Sequence, residues 1–169
     1  MTIKDIDDVY TYSDWANQKL MKVIEGLAPE EFTGTVGGHF ESIRSTLVHM
    51  LSAEWGWLAR CGGPERGPKL EPGNFPTLAA IEESWGKVQR GRREFLSGLK
   101  DDDVGRTITY YNDHGEPRSL TLGEIMQHAA NHNAHHRGQV SMMLRILGHT
   151  PEQVDQLFYH AERLGVPVW

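Results

Sequence analysis

Apolar residues recur at three- and four-residue spacing over four long stretches of this chain, a pattern that predicts four helices. The first runs from about Ile3 to Leu27, with Val9, Tyr12, Ala16, Leu20, Val23 and Leu27 along one stripe and Ala28-Pro29 ending it. The second spans about Glu41 to Cys61 and is apolar on nearly every side, with Leu47, Val48, Met50, Leu51, Trp55, Trp57 and Leu58, as a buried helix is. Residues 62–76 hold four Gly and four Pro, too many for regular structure, and predict a long connection across a bundle. The third helix starts after Thr77, carries Leu78, Ile81, Trp85, Val88, Phe95 and Leu99, and ends in Asp101-Asp102-Asp103.

The period then changes. Thr107-Ile108-Thr109-Tyr110-Tyr111 is rich in β-formers, Asn112-Asp113-His114-Gly115 reads as a turn, and Glu116 to Leu120 as a return strand. Thr121-Leu122-Gly123-Glu124 is a capping box that opens the fourth helix. That helix runs to about Leu147, with Gly148 as its stop, and would be roughly 40 Å long. Thr150-Pro151 opens a short final helix. The expected fold is all-α: one domain over residues 1–169, a four-helix bundle with long crossover connections and non-sequential packing, a small β-hairpin before the fourth helix and a short C-terminal helix.

Composition narrows the partners. A chain of 169 residues with 38% apolar content supports one core. The net charge of −6 and scattered Lys and Arg, grouped only at Arg90-Gly91-Arg92-Arg93, argue against nucleic acid or an anionic membrane as partner. The N-terminal stretch lacks an apolar signal region and no apolar run reaches membrane-spanning length, so a soluble cytoplasmic protein is expected. Cys61 is the only cysteine; it can form no internal disulfide and no Cys-rich zinc cluster, and no nucleophile signature surrounds it.

Chemistry concentrates in the fourth helix, where His128, His132, His135 and His136 make up four of the nine histidines. His132 and His136 are four residues apart, so a helix stacks them about a turn apart on one face, as two imidazole ligands of one metal must be. The inward stripe of Leu122, Ile125, Ala129, Met143 and Leu147 contains His136 and has His132 on its shoulder. His128 and His135 fall near the polar edge, suited to a pocket rim. Neutral core histidines are the competing reading; two at ligand spacing in a stripe of Leu, Ile, Ala and Met favour metal.

A third ligand must come from another helix. His49 is the best candidate, opposite Leu47, Leu51 and Leu58 on a side made of Ser45, Ser52, Ala53 and Gly56, although periodicity alone does not place it. His39, His114, His149 and His160 are expected at the surface. A zinc protease requires His-Glu-x-x-His, and Asn133 follows His132; a di-iron bundle requires Glu-x-x-His, and no histidine here has Glu three positions before it.

Three blocks resemble the DinB/YfiT-like metalloenzyme family, which includes thiol-dependent S-transferases and a mycothiol-dependent maleylpyruvate isomerase. They are residues 12–17 (Tyr-Ser-Asp-Trp-Ala-Asn), Thr46-Leu47-Val48-His49 with Glu54 and Trp55, and residues 131–139 (Asn-His-Asn-Ala-His-His-Arg-Gly-Gln). The resemblance implies metal ligands at His49, His132 and His136, a four-helix bundle, homodimerisation, and zinc or nickel as the ion. It implies no particular substrate, and the chain does not resemble the error-prone polymerase that shares the family's label.

The expected function is therefore a metal-dependent enzyme in which three histidines hold a divalent ion that activates water or a small-molecule thiol, in S-transfer, conjugation or hydrolysis. The alternatives are a non-catalytic metal or small-molecule binding protein of the stress-response kind, and a metal-free bundle acting through its dimer surface. Trp15, Asn17, Trp55 and His128 are candidates for the pocket wall, the Tyr110-Tyr111 hairpin could overhang it, and Arg137 is expected to pair with Glu54 or another bundle carboxylate. No residue is assigned as general base.

Overall fold

Each long helix begins at a residue whose side chain satisfies an otherwise free backbone amide. In the computed structural model, which describes residues 1–65, 67–112 and 114–168, helix α1 (Ile3–Ile24) opens on a reciprocal pair: the Thr2 hydroxyl accepts from Asp5 N at 3.1 Å and the Asp5 carboxylate accepts from Thr2 N at 2.8 Å. Ser42 caps α3 (Ile43–Arg60), and Thr77 caps α4 (Leu78–Ser97). Thr121 and Glu124 form the predicted capping box of α5 (Leu122–Ile146). Gly148, in the left-handed region at φ 88°, ends that helix as predicted, with His149 N donating to Leu144 O at 2.9 Å.

Two short helices complete the set, α2 (Pro29–Thr33) and α6 (Gln156–Leu164). Between α4 and α5 lies an antiparallel hairpin of β1 (Thr107–Tyr111) and β2 (Pro117–Thr121), in register Thr107↔Thr121 through Tyr111↔Pro117. Asp113 of the predicted turn lies outside the described residues.

The four long helices close into a ring in which α5 packs on α1 and α3, and α4 packs on the same two from the other side. The first two long helices, α1 and α3, thus take diagonal places, which is the non-sequential packing expected. One apolar cluster joins Leu20, Ile24, Ile43, Leu47, Met50, Leu51, Ile81, Trp85 and Leu144; a second, towards the hairpin, joins Ile6, Tyr10, Cys61, Leu122, Ile125 and Met126. No helix among the described residues is long and apolar enough to cross a membrane.

Four local expectations are corrected. Pro29, read as the end of the first helix, sits at the first position of α2, where a missing amide costs nothing, and the Glu31 carboxylate accepts from Ala28 N at 2.9 Å. Helix α1 stops at Ile24 and α4 at Ser97, ahead of Leu27 and Leu99, each next to a glycine, Gly26 and Gly98. The acidic run beyond α4 is a 3₁₀ turn (Asp101–Gly105), with the Asp103 carboxylate on Lys100 N and the Asp101 carboxylate on Ile3 N, each at 2.8 Å. The last helix starts at Gln156 and not at Thr150-Pro151, because the preceding segment is docked on α1: Pro151 is buried and the Tyr12 hydroxyl donates to Val154 O at 2.8 Å.

Candidate metal centre

Antiparallel packing of α3 against α5 brings His49 opposite His132 and His136. The Nε2 atoms of His49 and His132 are 3.1 Å apart, and those of His132 and His136 are 3.2 Å apart. A potential ligand atom from each of the three lies within 4.8 Å of the other two. His136 is buried, and His49 and His132 are half-buried, so the centre lies at the edge of the core with access to solvent.

The orientation of His136 is fixed from behind. Its Nδ1–H donates to the Gln139 side-chain oxygen at 2.7 Å, which leaves the Nε2 lone pair pointing at the other two rings. Gln139 in turn donates from Nε2 to His135 Nε2 at 3.1 Å. The His49 ring is held by stacking on Phe40, centroids 4.1 Å apart, and Phe40 also meets the His136 ring edge-on at 5.5 Å. Phe40 is delivered by a backbone reversal in which Val36 N and Gly37 N both donate to Glu41 O and Glu41 takes φ 63°, a costly conformation for a side-chain-bearing residue.

Burial, then mutual repulsion among the rings, pushes the pKa values of His49 and His132 down to about 4. His136 is lowered as well, by burial, with the Gln139 bond opposing. At neutral pH all three imidazoles are therefore uncharged and can offer lone pairs. Neutral nitrogen lone pairs converging at about 3 Å repel unless a proton or cation lies between them, so the three rings form a group that could hold a metal ion. His132 Nδ1 is buried without a hydrogen-bond partner among the described residues.

Beneath the centre runs a buried polar network that sets the register of α3 against α5. Glu54, one turn beyond His49 on α3, accepts from Trp85 Nε1 at 2.9 Å, from Asn133 Nδ2 at 2.7 Å and from Arg92 Nη1. Asn133 lies between His132 and His136 in sequence, so this bond ties the backbone that carries both rings to α3. Arg92 also reaches Asp14 and lies over the Tyr10 ring at 4.3 Å. Burial alone would lower the Arg92 pKa; Glu54 and Asp14 more than offset it, and the net shift is upward. Burial raises Asp14, with Arg92 acting against it.

Arg137 therefore does not pair with Glu54. It donates to Ser13 Oγ at 2.8 Å and Asn17 Oδ1 at 3.1 Å, because Arg92 from α4 has already taken the Glu54 carboxylate. Among the described residues it makes no ion pair, and burial lowers its pKa.

The other pocket candidates separate. His128 is exposed and adjoins the centre, with its ring 6.0 Å from that of His132 and 4.9 Å from that of Trp57. Asn17 is buried against Arg137. Trp15 stacks among Tyr12 and Tyr159 and donates to Glu162 at 3.1 Å, in the contact between α1 and α6. Trp55 helps line a surface cavity of about 320 Å³ with Leu58, Pro64 and Leu70. In the hairpin, Tyr110 packs on Trp57 and Tyr111 is exposed. His39, expected simply at the surface, is exposed but meets Phe40 edge-on at 4.5 Å and adds to the repulsion felt by His49 and His136. Sequence reasoning gave no role to Gln139 or Phe40. Gln139, three residues after His136 on one helix, could have been found by spacing; Phe40 reaches His49 through a turn that leaves no periodic signal.

Fold and site together define a helical bundle with a three-imidazole centre between two of its long helices. Residues 1–164 match the model of the DinB family, and the chain belongs to that family. Protein DinB of Bacillus subtilis (strain 168) is 23% identical over 158 residues, covering 89% of this chain and 91% of the relative. Among solved structures, a DinB-like protein from Bacillus cereus ATCC 10987 superposes with a TM-score of 0.74 at 23% identity, over 91% of this chain and 98% of its own. A conserved protein from Enterococcus faecalis gives 0.60 at 10% identity, over 83% and 95%. These two structures share the fold.

Proposed function

We propose that this protein is a metal-dependent enzyme that binds a divalent ion, zinc or nickel, at His49, His132 and His136 and activates a small-molecule thiol or water for S-transfer or hydrolysis. The observation that carries the reading is the convergence of three uncharged imidazole nitrogens at the solvent-accessible edge of the core. Three protein ligands leave room for a substrate atom, the open arrangement of catalytic and not of structural sites. An ion held there supplies Lewis acidity, lowering the pKa of a thiol or water that joins it. The chain's own residues orient the rings through Gln139 and Phe40 and keep them unprotonated by burial.

The thiol of this reading comes from a cosubstrate. Cys61 is only 2% exposed, and burial pushes its thiol up to about 11, so it is neither accessible nor ionised at neutral pH. The reading places the protein in the cytoplasm as a homodimer acting on small molecules, with no nucleic acid or membrane involved.

The test is metal content by plasma mass spectrometry on tag-free protein beside His49→Ala, His132→Ala and His136→Ala. Near-stoichiometric metal in the wild type, lost in each variant, is expected, followed by turnover in a screen of thiol donors and electrophilic acceptors. Full metal retention in all three variants would overturn the ligand assignment, and absence of turnover across the screen would overturn the enzymatic reading.

A further inference from the structure

A strip of half-buried and exposed residues leads away from the centre along the seam where α3 packs on α5. On α3, His49, Ala53, Trp57 and Arg60 fall within about 80° of helical arc, and on α5, His136, His132 and His128 do the same in the opposite direction. Ring follows ring from the centre: His132 to His128 at 6.0 Å, then His128 to Trp57 at 4.9 Å. The strip ends at a cation. The Arg60 guanidinium lies over the Trp57 ring at 4.7 Å and over Tyr110 of the hairpin at 6.0 Å, and Trp57 and Tyr110 meet edge-to-face at 5.1 Å.

Two features make this more than a surface arginine. Arg60 is exposed, yet contact with two aromatic rings contributed by different elements restricts where its charge can go. Among the described residues no carboxylate forms an ion pair with it, although the chain carries 23 Asp and Glu against 17 Lys and Arg. A guanidinium stacked on its faces keeps its N–H edges free, and those edges match a carboxylate in bidentate fashion.

We propose that the strip from His132 to Arg60 is the substrate groove of the metal centre, and that it selects an elongated thiol bearing a carboxylate at its far end, with Arg60 binding the carboxylate. His49 and Arg60 are eleven residues apart on one helix, so the thiol and acid ends of such a molecule must be separated by roughly 17 Å or somewhat less. His128 and Trp57 supply flat faces for the intervening atoms. The inference rests on the metal-site reading and adds to it a substrate class and a specificity residue.

The test uses cobalt-substituted protein and reads the cobalt absorption spectrum, so it does not depend on turnover. Three thiols of matched length are titrated: mercaptoundecanoic acid, mercaptoundecanol and mercaptodecylphosphonic acid, with mercaptoacetic acid as an acid too short to span the strip. The long carboxylic acid is expected to bind about tenfold more tightly than the alcohol, with the preference lost in Arg60→Ala and partly restored in Arg60→Lys. Mercaptoacetic acid should show no dependence on Arg60. A phosphonate that binds more tightly than the carboxylic acid overturns the carboxylate assignment. If thiols move the cobalt bands but acid and alcohol bind equally, the groove proposal fails and the metal-site reading survives; Arg60 then serves only to hold the hairpin on α3. If no thiol moves the bands, the thiol-activating function fails and the groove proposal with it.

Discussion

Replacing Arg92 by Met tests the network that holds α3 and α5 in register. Arg92 and Glu54 are each 2% exposed, and the Glu54 carboxylate receives one charged donor, Arg92, and two neutral ones, Trp85 and Asn133. Arg92→Met fills most of the arginine's volume with an apolar stem and leaves a buried carboxylate supported by the neutral donors alone. Breaking a buried ion pair from one side costs about 3–5 kcal/mol. Asp14 adds little to that figure, since it keeps the Gln89 amide at 3.1 Å and Arg93 at 4.0 Å. The second variant, Arg92→Met with Glu54→Gln, removes the stranded charge while its amide oxygen still accepts from Trp85 and Asn133, and should return about 2 kcal/mol. Urea unfolding in the presence of chelator measures both, so that metal binding does not contribute. A cost below about 1 kcal/mol for Arg92→Met, or a double variant less stable than Arg92→Met alone, would refute the argument that Glu54 depends on Arg92 for its burial.

Two further outcomes follow from the triad. Gln139→Ala removes the acceptor that fixes the His136 ring and should weaken zinc or nickel binding by about 10- to 100-fold with little change in metal-free stability, measured by competition with a chromophoric chelator; unchanged affinity would show that packing alone orients the ring. The metal-free protein should lose stability as pH falls from about 6.5 towards 4, because His49 and His132 titrate near 4 when folded and near 6.5 when unfolded, so the unfolded chain binds more protons across that window. Half-burial and solvent screening hold the effect to about 2 kcal/mol for the pair. Urea midpoints that stay flat across the window in wild type, or that fall equally in His49→Ala with His132→Ala, would contradict it.

Helices, caps and the hairpin were legible in the sequence because each is written in local terms. Period-3.6 apolar stripes, Thr121 with Glu124, and Gly148 act within one or two turns, and the structure uses them at the positions they occupy. Local chemistry misled where one residue type has two uses: Pro29 stops a helix or starts one, and here it starts α2. The spacing of His132 and His136 could likewise be read from the helix that carries both. Nothing along the chain fixes the partner of a side chain on another helix. His49 was singled out by the family resemblance and by a run of small neighbours, but only the antiparallel packing of α3 on α5 sets its Nε2 at 3.1 Å from that of His132. The same holds for Glu54, which is equally compatible in sequence with Arg137 and Arg92 and is claimed by Arg92 because α4, not the near face of α5, presents the guanidinium to it. The sequence by itself determined where the helices lie and which of their faces are apolar. Which charge meets which, and which ring leans on which, depends on contacts between residues far apart in the chain, and only the tertiary structure decided them.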